Sequence, residues 1–184
     1  MTKVLVTYAS KHGATAEMAQ SVARVIKAFK LDVTARRVEN IDDISTYDVV
    51  ILGAALYLGE WIPEAVDFLY RYQAELKNKV VWLFASGPTG EGNPLDLLEG
   101  NFIPDDILPL IENIAPQEVK LFKGKIDLRR LPPQERKIVK GAKVPRGDYR
   151  DWKAIRAWAE ALGQALSVTD IIKQPENSVM LVED

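Results

Sequence analysis

The stretch Lys3-Val4-Leu5-Val6-Thr7-Tyr8-Ala9-Ser10-Lys11-His12-Gly13-Ala14-Thr15 passes from an apolar, β-branched segment through small polar residues into a helical pattern. A strand is read from Lys3 to Tyr8. A helix begins near Thr15 and places Met18, Ala19, Val22, Val25, Ile26 and Phe29 on one face. Unpaired N–H groups and the dipole at such a helix start favour an anion. The residue types suit a phosphate: Ser10 and Thr15 bring hydroxyls, Gly13 and Ala14 keep the backbone accessible, and His12 has a ring N–H to donate in either protonation state. Lys11 is expected to point to solvent. The same residues also fit an ordinary turn in which Ser10 and Thr15 only cap the helix.

Working outward, short β-branched runs alternate with helical stretches, the pattern of an α/β fold with a parallel sheet covered on both faces. Further strands are read at Asp32 to Arg37, Val49 to Gly53, Val80 to Ala85 and Glu118 to Leu128. Pro63 suits the first position of a helix running to about Leu76, where its missing N–H costs nothing. A helix capped by Asp105 is expected to reach Ile114, and a last one to run from Asp151 to Leu166. No G-x-x-x-x-G-K-[ST] or G-x-G-x-x-G follows the first strand, so a nucleoside-triphosphate loop and a dinucleotide turn are excluded. A receiver-type signalling domain needs acidic residues where Ala9, Ser10 and Gly53 stand.

Val6, Tyr8, Ser10, Gly13, Thr15, Ala19 and Val22 fall at the spacing of the flavodoxin signature, with only Thr7 departing from it. From Met1 to about Leu166 the chain resembles a flavodoxin. The resemblance implies a doubly wound, five-stranded sheet of order 2-1-3-4-5, with FMN as cofactor and its phosphate in the first loop. The isoalloxazine ring is then expected beside two further loops. One is Ala54-Ala55-Leu56-Tyr57-Leu58-Gly59-Glu60-Trp61, in which Tyr57 and Trp61 are aromatics read as lying outside regular structure and suited to stacking on a flat ring. The other is Ser86-Gly87-Pro88-Thr89-Gly90, whose small residues leave amides free for the polar edge of the ring. FMN would move the electrons, so no catalytic residue and no metal site are assigned.

Two functions follow from the resemblance. One is a carrier that shuttles electrons between redox partners. The other is an oxidoreductase, because Tyr47-Asp48-Val49-Val50-Ile51-Leu52-Gly53-Ala54 with Tyr57 and Gly59, and Tyr149-Arg150-Asp151-Trp152 after a long excursion, resemble the short flavodoxin-like protoporphyrinogen oxidases, which pass electrons from a porphyrinogen to a quinone. That excursion, Asp127 to Asp148, lies within a basic segment. Lys120 to Arg146 holds ten Lys or Arg against Asp127 and Glu135, a local +8 in a chain of formal net charge -2. It suits porphyrin carboxylates, an acidic protein or the surface of an anionic membrane, or else forms a solvated cover over the sheet edge. Its stretch Leu131 to Lys140 is mostly polar, unlike the apolar insertion of those oxidases. Pro88 to Gln117 carries six acidic residues and no basic one, which would lower the potential of a nearby flavin or form a solvated face.

Composition bounds the rest. With no cysteine and a single histidine, disulfides, thiolate metal sites and histidine clusters are excluded, which fits a reducing cytoplasm. Val4-Leu5-Val6 is too short for a signal-peptide core, and no run approaches the roughly 20 apolar residues of a span, so a soluble protein without a nucleic-acid partner is expected. Residues 1 to 166 are read as the FMN-binding domain and 167 to 184 as a tail. Within the tail, Ser178 to Val182 suits strand addition in its own subunit or in a homodimer.

Overall fold

The computed structural model describes residues 1–168, so the tail strand expected at Ser178 to Val182 lies outside the described residues. Five parallel strands form the sheet: β1 (Lys3–Ala9), β2 (Asp32–Arg37), β3 (Val49–Tyr57), β4 (Val80–Ser86) and β5 (Glu118–Phe122), in the order β2-β1-β3-β4-β5. This is the expected 2-1-3-4-5 arrangement. The helices are α1 (Ala14–Lys27), α2 (Pro63–Leu76), α3 (Leu108–Ile114), α4 (Pro133–Gly141) and α5 (Trp152–Val168).

Alternate strand residues feed two cores, as the twofold period of a strand requires. Val4, Val6, Val49, Ile51, Trp82 and Phe84 meet α1 and α5, whereas Leu5, Val50, Leu52, Val81 and Leu83 meet α2 and α3. On the first side Phe84, Phe122 and Trp158 pack edge to face, with centroids 5.6 to 6.0 Å apart. Asp151 starts α5 by accepting the Ala154 N–H at 2.9 Å. None of the helices among the described residues is long and apolar enough to cross a membrane.

Four expectations need correction. Asp105 does not cap α3, which starts three residues later at Leu108. Pro109 fits only the first turn of a helix, and a start at Asp105 would set its ring against the Asp105 carbonyl. The last strand stops at Phe122 rather than Leu128, because Gly124 crosses the loop after β4 so closely that a Cβ would lie 2.9 Å from the Gly87 Cα. Beyond it, Lys125–Ile126 pairs with Gly147–Asp148 in a separate antiparallel ribbon.

The stretch from Ala54 to Trp61 is not irregular either. β3 continues to Tyr57 and returns as the two-residue strand Glu60–Trp61 through Leu58 and Gly59, whose φ values of +53° and +87° make a tight hairpin turn. Finally, the excursion is no simple solvated cover. It contains α4, which borders the cavity at the carboxyl end of the sheet through Ile138 and Val139, although none of its residues is buried and Ile138 is 57% exposed.

Candidate functional site

A cavity of about 760 Å³ opens at the carboxyl ends of β1, β3 and β4, beside the point where strand order reverses. Ligands of open α/β sheets bind there. Its floor is the loop after β1 with the start of α1, the β3 hairpin, and the loop after β4. Its roof is the excursion, through Lys125, Arg130, Leu131, Glu135, Ile138, Val139, Val144 and Pro145, and Leu97 and Leu98 close one side. Thr89 donates its hydroxyl to the Pro145 carbonyl at 2.7 Å and so ties floor to roof.

Most of the expected residues meet in this cavity. Ser10, Lys11, His12, Ala14, Thr15, Ala55, Leu56, Tyr57, Ser86, Gly87, Pro88 and Thr89 line it. Gly13, Ala54, Trp61 and Gly90 do not line it. Gly13 precedes α1 with φ +90°, where it shapes the turn, and Gly90 packs near Leu97 and Pro145. Ala54 is buried in the sheet. The Trp61 ring lies in the core, 3% exposed, with Nε1 donating to the Phe102 carbonyl at 2.8 Å, so it offers no face to a ligand.

The phosphate-loop expectation has a definite geometry. Ser10 and Thr15 are buried at the cavity floor. Ser10 Oγ accepts the Gly13 N–H at 3.1 Å, whereas the Thr15 hydroxyl makes no hydrogen bond among the described residues. Departing Thr7 sits in the core with its hydroxyl likewise unpaired. Lys11 does not simply face solvent, because the Glu135 carboxylate of α4 bridges Lys11 Nζ and His12 Nε2, the latter at 2.6 Å. Lys11 foremost, and His12 after it, hold the Glu135 carboxyl below the usual carboxylate range against the pull of burial.

A second charged cluster fixes the start of α1 to the end of the excursion. Arg150, with its side chain 2% exposed, donates to Glu17 at 2.8 Å, to the Ala14 carbonyl at 3.2 Å and to both oxygens of Asp148, and it stacks 4.5 Å from the Trp152 ring centre. Arg130 and Lys125 also reach Glu17, at 3.0 and 3.8 Å. Burial alone would raise the Glu17 carboxyl, but the Arg150 and Arg130 hydrogen bonds overcome it and leave it below its ordinary range.

The roof residues escaped sequence reading. Glu135, Ile138 and Val139 stand at i, i+3 and i+4, the spacing of one helix face, but in a segment so polar that three inward positions do not stand out.

The cavity accommodates a phosphate-bearing flat cofactor. Its volume lies in the range of small-molecule sites, and the unpaired Thr15 hydroxyl and the amides at the start of α1 suit a phosphate. Tyr57 gives an aromatic wall, and Gly87, with φ +141° and a Cβ position only 3.0 Å from the Leu56 Cβ, lets the loop after β4 pack directly on the β3 hairpin.

Comparisons with known proteins agree. A family model described as a flavodoxin domain matches residues 5–152. A flavodoxin of Megasphaera elsdenii is 34% identical over 97 residues, which cover 50% of this chain and 71% of that protein. Among solved structures, a short-chain flavodoxin associated with a non-canonical PDU bacterial microcompartment superposes with TM-score 0.58 at 19% identity, covering 90% of this chain and 99% of that one. A flavodoxin from the domain Archaea gives 0.55 at 15%, covering 90% and 96%. The chain therefore belongs to the flavodoxin-domain family. With that membership it is an FMN-binding flavoprotein of electron transfer.

Proposed function

We propose that residues 1 to 166 form the FMN-binding unit of an electron carrier, with the phosphate at Ser10 to Thr15 and the ring between Tyr57 and the loop Ser86 to Thr89. One observation carries this reading: a single cavity joins those three segments at the switch point of the sheet. Bound FMN would supply the electron chemistry, and the protein would position it. The α1 amides and the Thr15 hydroxyl hold the phosphate. The Gly87 N–H is taken by the Phe122 carbonyl at 3.1 Å, which leaves the Thr89 amide for the polar edge of the ring, while Leu131, Ile138 and Val139 of the roof limit water around it.

The roof also supports a second reading, an oxidoreductase acting on a small molecule such as a quinone or porphyrinogen, because α4 covers a face that a docking protein would need. One assay separates the two. Reduced, FMN-loaded protein is mixed anaerobically with quinones, and oxidised protein with protoporphyrinogen. Reoxidation by one-electron acceptors without porphyrin formation is the carrier result. Porphyrin formed in step with flavin reduction replaces the carrier by an oxidase.

A further inference from the structure

The loop at the start of α1 has a cationic neighbour whose donors are only partly used. In the turn Leu128–Arg130, Asp127 Oδ1 accepts the Arg129 N–H and Nε–H, both at 3.0 Å, and this turns the Arg129 side chain outward, 89% exposed. Arg130 faces the other way and lines the cavity. Its Nη1 donates to Glu17 Oε1 at 3.0 Å and to the His12 carbonyl at 3.4 Å, and lies 3.1 Å from the point a Gly13 Cβ would occupy. Its Nε and Nη2 groups have no hydrogen-bond partner among the described residues. A guanidinium carries five N–H donors in a planar fork that matches phosphate oxygens.

We infer that Arg130 is a ligand of the FMN phosphate, supplied by the excursion, and that it selects phosphorylated flavin over riboflavin. The inference rests on the phosphate position proposed above. A phosphate monoester brings a charge of about -1.5 to -2 at neutral pH. The other cations around the loop are committed: Lys11 to Glu135, Arg37 to Glu39 and the Ser10 carbonyl, Lys125 to Glu17, and buried Arg150 to Asp148 and Glu17. Glu17 does not hold Arg130 back, since Arg150 and Lys125 still neutralise it when Arg130 turns to the phosphate.

The test is the affinity of the full-length chain, freed of flavin, for FMN and for riboflavin, measured by fluorescence titration at low and moderate salt. The proteins compared are the wild type, Arg130→Gln, Arg130→Lys and Lys140→Gln, the last removing an exposed charge on α4. Arg130→Gln is expected to weaken FMN by about 10- to 100-fold, as for a lost charged hydrogen bond, with riboflavin unchanged and a shallower salt dependence. Arg130→Lys is expected to recover part of the loss, and Lys140→Gln to bind both flavins as the wild type does. Equal weakening of both flavins, an unchanged FMN affinity in Arg130→Gln, or an equal loss in Lys140→Gln overturns the role of Arg130. Failure of the wild type to bind FMN overturns the proposed function instead.

Discussion

Replacing Tyr57 by alanine is expected to weaken FMN binding by about 2–3 kcal/mol, roughly 30- to 150-fold in Kd, through lost aromatic area and stacking. Tyr57 ends β3 at the cavity wall, 38% exposed, and its ring meets the His12 ring edge-on with centroids 6.0 Å apart at 88°. Burial first, then the Glu135 and Glu64 carboxylates, push its hydroxyl up to about 12. The stacking surface therefore stays a neutral phenol across the usable pH range. Tyr57→Phe keeps that surface and should bind FMN within a few-fold of wild type. Flavin fluorescence titration measures both variants, and an alanine variant with unchanged affinity would place the ring elsewhere.

Gly53→Ala is expected to cost about 3 kcal/mol of stability, at the upper end for overpacking a core, and to lower Tm by roughly 6–12 °C. A Cβ at Gly53 would stand 2.3 Å from Phe84 Cζ and under 3.0 Å from two more ring atoms. Phe84 is fully buried and wedged between Phe122 and Trp158, so the ring has nowhere to go. Thermal unfolding reads the effect directly, and an unchanged Tm would show that the aromatic cluster yields. Gly59, with nothing within 4 Å of its Cβ position, isolates the cost of a positive φ from that of a clash.

The legible parts of the molecule were those governed by local chemistry. The passage from Val4 to Thr15 carries strand, turn and helix start in adjacent residues, and Pro63 marks the start of α2 by its missing N–H. What stayed hidden depends on distant partners. Trp61 suits stacking by its residue type, yet its ring packs in the core and its N–H pairs with the distant Phe102 carbonyl, and nothing near Trp61 in sequence signals those contacts. Leu58 is a poor residue for a left-handed turn position, so the hairpin that extends β3 leaves no turn signature. Arg150 reads as one more basic residue, although its burial requires Glu17 and Asp148 to be brought together by the fold. The roof is the largest omission. The charge of the excursion masks a cavity-lining face of Glu135, Ile138 and Val139, which appears only once α4 is placed beside the carboxyl end of the sheet.

The most direct measurement is calorimetric titration of FMN into the purified, flavin-free chain, with absorbance counting the flavin retained after gel filtration. One FMN retained per chain, giving a yellow protein, is the expected result. A folded chain that releases no heat with FMN and emerges colourless would contradict the assignment of the cavity beside Ser10 to Thr15 as a flavin site.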